Sequence, residues 1–112
     1  MPVVILASFP NSRIKNRSPR SQGFTDIVTI AMGSPAQLVV PLNPDRTDLV
    51  LRNLDSLQSC FYGYLPTIDG TTIGEGFELK PLESIDIVTT QNVYVYNPGP
   101  LPMNVVFDEG SG

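Results

Sequence analysis

The chain has 112 residues, seven of them basic and eleven acidic, with one cysteine and no histidine or tryptophan. That length fits one domain. The missing histidine removes the side chain most used for proton transfer near neutral pH, and a single cysteine permits neither a His/Cys zinc site within one copy nor an intrachain disulfide.

The charge is unevenly spread. Residues 1–22 carry Arg13, Lys15, Arg17 and Arg20 and no acid, whereas 23–112 carry three basic residues and all eleven acidic ones. A basic arm of charge +4 thus precedes an acidic body of charge −8, and the expected division is 1–22 as an extended N-terminal arm and 23–112 as a β-sandwich body. The arm opens on an apolar run, Pro2-Val3-Val4-Ile5-Leu6-Ala7-Ser8-Phe9, and continues through a polar stretch whose one aliphatic side chain is Ile14. Such a stretch buries too little apolar surface to offset the entropy of ordering alone, so a partner surface is expected to order it. The candidate partner-binding residues are Val3, Ile5 and Phe9 for apolar contact and Arg13, Lys15, Arg17 and Arg20 for charge, with 3–6 suited to adding a strand to a sheet.

The arm's charges follow its apolar run instead of preceding it, and no stretch approaches the ~20 apolar residues of a membrane helix, so neither an export signal nor a membrane span is expected. No aromatic residue interleaves the basic cluster and the body would repel phosphate, so nucleic acid is not an expected partner.

From Gly23 onward the sequence lacks a helical period and is rich in β-branched residues between turn signals. The first strand is expected at 25–30, ending at a turn through Gly33 and Pro35, and the second at 36–40, cut by Pro41. The third falls at 48–53, with Leu49 and Leu51 on one face, and the fourth at 59–64, where Cys60 and Tyr62 share a face. Residues 67–76 hold three glycines and an Asp69-Gly70 pair, a loop signal. Short strands follow at 77–79 and 84–88, the latter with Ile85 and Ile87 inward and Asp86 outward. At 93–96 valines alternate with tyrosines, and a Pro-rich crossing at 97–102 leads to a last strand at 104–107, with 108–112 read as a frayed tail.

Seven to eight short strands at this spacing indicate an all-β fold, a small β-sandwich for which a jelly-roll-like winding is one arrangement. The expected core is Ile27, Leu38, Leu49, Leu51, Phe77, Leu79, Ile85, Ile87, Val93 and Val95. Chemistry is sparse. Gly70, Gly74 and Gly76 lack the lysine and helix of a phosphate loop, no Gly-x-Ser-x-Gly elbow exists, and Asp69, Gly70 and Glu75 do not make a calcium loop. No catalytic, cofactor-binding or metal-binding residues are assigned, and an enzyme is not expected.

Asn43-Pro44-Asp45-Arg46-Thr47-Asp48-Leu49-Val50-Leu51-Arg52-Asn53 is an Asn-Pro-x-Arg turn running into an aliphatic strand that ends in Asn. It resembles small all-β virion structural proteins of tailed bacteriophages. The resemblance continues through Gly76-Phe77-Glu78-Leu79-Lys80-Pro81-Leu82-Glu83-Ser84-Ile85-Asp86-Ile87 and Val93-Tyr94-Val95-Tyr96, and so covers about 24–96. It implies a capsid cement or decoration protein, located in the virion, whose partners are the major capsid protein or other virion proteins. A homo-oligomer, a dimer or trimer, is expected separately, because a body this small holds only a thin core and leaves much of its surface exposed. A tail, baseplate or fibre-attachment component is the alternative, and a carbohydrate-binding module using Tyr62, Tyr64, Tyr94 or Tyr96 is a third. Arg46 is expected to hold its turn by bonding carbonyls or Asp48, and Asn53 to satisfy backbone at its strand end.

Overall fold

A computed structural model of the chain describes residues 22–69 and 76–112. They form eight strands: β1 (Gln22–Ile30), β2 (Gly33–Val40), β3 (Arg46–Asn53), β4 (Cys60–Gly63), β5 (Phe77–Leu79), β6 (Ser84–Asp86), β7 (Val93–Asn97) and β8 (Met103–Ser111). Two four-stranded sheets result, ordered β1-β8-β3-β6 and β2-β7-β4-β5. All the strand pairs are antiparallel.

The pairing has a simple rule. β1 pairs with β8, β2 with β7, β3 with β6 and β4 with β5, as if one long hairpin had been rolled up around its own axis. The contacts β3–β8 and β4–β7 close the roll. This is the jelly roll, an eight-stranded double-sheet fold. Between the sheets lies one core, built from Ile30, Val39, Val40, Leu49, Leu51, Cys60, Leu79, Ile87, Val93, Val95, Met103, Val105 and Phe107, with Val28 and Ile85 packed against it.

Leu49, Leu51, Leu79, Ile87, Val93 and Val95 are buried as expected, and Ile85 is partly buried. Three expected core residues are not. Ile27 is 60% exposed because the register with β8 sets Val28 opposite Val105 and Ile30 opposite Met103 on the inner face, which turns Ile27 and its partner Val106 outward. Leu38 sits opposite Tyr94 on the outer face, and a register shift just after it turns both Val39 and Val40 inward. Phe77 shares a face with Leu79 but lies on the three-residue edge strand β5, where its ring packs on Tyr62 (centroids 5.4 Å) and stays half exposed.

Residues 108–111 are not a frayed tail but the second half of β8. Asp108 to Gly110 pair with β1 on one side and β3 on the other, and Glu109 is tied to Arg46 by an ion pair of 2.7 Å. Polar groups order this end, so apolar composition did not mark it. Leu51, fully buried between its register partners Phe107 and Ile85, is a central core contact. Leu51→Ala is expected to cost about 2–5 kcal/mol in urea unfolding; a loss of a few tenths, as at a surface position, would show that Leu51 does not face the core.

Candidate docking surface at one end of the roll

The connections β1–β2, β3–β4, β5–β6 and β7–β8 all fall at one end of the roll, and they are stitched together. Asn53 closes β3 fully buried. Its Nδ2 donates to the carbonyls of Gln58 (2.8 Å) and Leu79 (3.1 Å), and its Oδ1 accepts the N–H of Asp55 (2.8 Å). Asn97 repeats the device at the end of β7: Nδ2 donates to Ile30 O (3.0 Å) and Leu101 O (2.8 Å), and Oδ1 accepts the N–H of Gly99 (2.8 Å). Each asparagine satisfies a strand end and the following turn together, which is why a short amide side chain is used there.

Further bonds run between loops. Gln58 and Leu101 exchange two, Nε2 to Leu101 O (2.9 Å) and Leu101 N to Oε1 (3.0 Å). Asp55 Oδ1 accepts the N–H groups of Leu57 and Gln58, both at 2.8 Å, while the Asp55 carbonyl accepts Leu82 N–H at 3.2 Å. Leu54 N–H reaches Asn104 O at 3.0 Å. Gly99 sits at φ +97°, a conformation that strains any other residue, and a Cβ there would also lie 2.8 Å from the flexible Met32 side chain, which would have to move.

This scaffold holds a set of apolar side chains out to solvent, among the exposed Ser56, Lys80 and Glu83. Met32, Leu54, Leu57, Leu82 and Leu101 are all exposed, one or more from each of the four connections, and Leu57 is 88% exposed. Pro98, Pro100 and Pro102 are exposed among them. Leu82 is held at φ 62° as the third residue of the Lys80–Glu83 turn, closed by Glu83 N–H to Lys80 O at 3.0 Å. Glycine or asparagine is the ordinary occupant of that position, so a leucine there stores backbone strain of about 1–2 kcal/mol while presenting its side chain outward. A hydrogen-bonded platform that displays leucines keeps low the ordering entropy lost on association, which is the property of a docking surface.

Beneath the platform Cys60 is fully buried, and burial first, then the charge of Asp55, pushes its thiol up to about 12. Such a thiol is inert, not nucleophilic. Tyr62 is likewise pushed up, by burial and then by Tyr64 and Glu83.

The opposite end carries the root of the arm. Gln22 pairs with Ser111, and Gly112 N–H bonds Asp45 O at 3.0 Å. Here Arg46, its side chain 1% exposed, donates Nε to Glu109 Oε2 (2.7 Å), Nη1 to the carbonyls of Thr89 (2.8 Å) and Gln91 (3.0 Å), and Nη2 to Pro41 O (2.6 Å). The carbonyl role expected for Arg46 holds, and the carboxylate it meets is Glu109. A cavity of about 110 Å³ beside it, lined by Thr47, Asp48 and Val88 among others, falls short of the roughly 300 Å³ of small-molecule sites.

The expected contact residues Val3, Ile5, Phe9, Arg13, Lys15, Arg17 and Arg20 lie outside the described residues, as does most of the glycine-rich loop from Gly70 to Glu75. Of the tyrosines weighed as sugar platforms, Tyr62 is in the core and cannot serve. Tyr64 is exposed in the β4–β5 connection, and Tyr94 and Tyr96 are half-buried on the outer face of the second sheet. Among the described residues no group of three or more Asp, Glu, Cys or His could hold a metal ion, and no helix is long and apolar enough to cross a membrane. The platform leucines were not legible in the sequence: each is an ordinary loop residue until the winding brings four loops together. No family model matches the chain, and neither a curated protein nor a solved structure matches it.

Proposed function

We propose that this protein is a non-enzymatic structural component of a tailed-bacteriophage virion, a cement protein that docks on the capsid lattice with its apolar loop platform and engages neighbouring subunits with its basic arm. The observation that carries the reading is the two-ended layout. β1 runs from the arm root at Gln22 to the platform at Ile30, and nine residues of strand span roughly 27 Å. A hydrogen-bonded platform displaying leucines at one end and a +4 arm rooted at the other, where Leu42, Leu65 and Val88 are exposed as well, suit a molecule that bridges two partners. Affinity then comes from repeated weak contacts over many lattice sites. The double-sheet roll recurs among viral capsid proteins, which agrees with this reading without establishing it.

The test is the composition of purified virions from the host that carries this gene. The chain is expected in tail-free capsid shells at a fixed ratio to the major capsid protein. Recovery with the tails alone would overturn the cement reading in favour of a tail or baseplate component, and its absence from particles would overturn both. A flat titration of tyrosine fluorescence with glycans is expected, and removes the sugar-binding module.

The platform itself makes a sharper prediction. Leu57→Ser and Leu82→Gly touch exposed side chains, and the second also relieves the positive φ. Leu57→Ser should unfold within about 0.5 kcal/mol of the wild type and Leu82→Gly should be at least as stable, by up to about 1–2 kcal/mol from the relieved strain. Yet both should bind particles at least tenfold more weakly, measured by pelleting with shells stripped of the protein. Undiminished binding would move the docking surface elsewhere.

A further inference from the structure

A roll of two open sheets has four edge strands, and three of them are blunted. β5 and β6 have three residues each, and β2 is interrupted by two register shifts. Short strands and bulges are the devices by which natural sheets avoid pairing with other chains. β1 is different. It has nine residues, pairs in unbroken register with β8 along its whole length, and among the described residues nothing pairs with its outer edge.

Its backbone phase is fixed by two side-chain bonds. Ile27 N–H is taken by Asp26 Oδ1 (2.9 Å) and Thr29 O by Gln37 Nε2 (3.1 Å), so the odd-numbered residues direct their peptide groups away from β8. Gly23 and Thr25 belong to that set. The edge presents one large apolar side chain on each face, beside the polar Thr25, Asp26 and Thr29. Phe24, 56% exposed, lies on the core side with its ring 5.8 Å from that of Phe107, and Ile27, 60% exposed, lies on the outer side. A strand that covers both must itself be apolar on both faces. One segment of the sequence has that character. Val3, Ile5, Ala7 and Phe9 alternate with Val4, Leu6 and Ser8, all but one apolar.

We infer that the outer edge of β1 is an acceptor for the segment 3–9 of a second copy of this chain, which adds a ninth strand antiparallel to β1 by main-chain pairing. The connector favours exchange between copies over return to the same edge. Twelve residues, 10–21, separate the segment from β1, and they carry two prolines and four positive charges with no acid. Hairpin loops are ordinarily 2–5 residues, and like-charged linkers self-repel and extend. Extended, twelve residues reach roughly 40 Å, enough to cross to a neighbour. Reciprocal exchange in a dimer, or cyclic exchange in a trimer, closes the assembly with every β1 edge covered. The inference deepens the reading of the arm given above and rests on it, but its test needs no virion, so failure here and absence from capsid shells are separate results.

The experiment is light-scattering mass of the full-length chain over a range of concentrations, with two full-length variants. Thr25→Pro removes an outward N–H from the acceptor edge and keeps the backbone ladder to β8, at the loss of the Thr25 Oγ1–Asp108 Oδ1 bond (2.8 Å). Ile5→Pro alters the donor segment and no residue of the eight strands. The wild type is expected at two or three chains per particle, and each variant at one, with β-type circular dichroism retained. Should Thr25→Pro fail to fold, Ile5→Pro decides alone. A wild type that is monomeric at every concentration overturns the inference, as does an oligomer whose mass Ile5→Pro leaves unchanged.

Discussion

Replacing Arg46 by methionine is expected to destabilise the roll by about 3–5 kcal/mol, the cost typical of breaking a buried ion pair from one side. The geometry explains why the loss should be that large. The guanidinium directs its donors at Glu109 and at three backbone carbonyls, Pro41, Thr89 and Gln91, which belong to the β2–β3 and β6–β7 connections. Methionine fills much of the space but donates nothing, so three carbonyls lose this donor at once and the Glu109 carboxylate keeps only Asn43 Nδ2 at 3.3 Å. Lysine should rescue only part of the loss, because one ammonium cannot reproduce a planar fork that serves four acceptors in different directions. Glu109→Gln should cost less than Arg46→Met, since Glu109 is less deeply buried than Arg46 and the amide oxygen can still accept from Nε. Urea unfolding of the three variants checks the order. If Arg46→Met lost under 1 kcal/mol, the carbonyls would have found water, and this end of the roll would be looser than its hydrogen bonds indicate.

The strands were legible in the sequence because alternation and turn residues are local signals, and β5 falls where Phe77-Glu78-Leu79 indicated. What was not legible depended on pairing. In 25–30 either parity offers apolar residues, and only the register with β8 decides that Val28 and Ile30 go inward while Ile27 does not. In β2 a register shift breaks the alternation that would have buried Leu38. The end of β8 reads as a tail because its order comes from two neighbouring strands and an ion pair, none of them near in sequence. Asn53 stands at the end of an aliphatic strand, where its amide role is legible, whereas Asn97, with the same hydrogen-bonding role, is masked in the sequence by the proline-rich crossing that follows it. The arm stands out by charge alone. The platform does not, since its leucines acquire a common surface only when the roll is wound.

Raising the pH is expected to weaken the fold through Cys60, and the size of the effect can be isolated. In the folded protein burial, reinforced by Asp55, pushes the thiol from its ordinary 9.0 up to about 12. Below pH 9 both folded and unfolded chains keep the proton, and stability is independent of this group. Between 9 and 12 the unfolded chain releases the proton while the folded chain holds it, so the unfolded state is favoured progressively and stability falls as pH rises. Above 12 the loss is complete. Three pH units at 1.36 kcal/mol each amount to about 4 kcal/mol. Tyr62 shifts in the same direction, so the wild type alone would not separate the two contributions. Cys60→Ala keeps every other group, and the comparison cancels them. Measured by urea unfolding at pH 8 and again near pH 12, the wild type should lose several kcal/mol more than the variant. Labelling of the thiol by a disulfide reagent at pH 8 should likewise proceed only as fast as the roll opens, because the buried sulfur is both protonated and out of reach. Equal pH dependence in the two proteins would mean that Cys60 meets solvent in the folded state, and that β4 is less firmly held between β5 and β7 than its pairing on both sides implies.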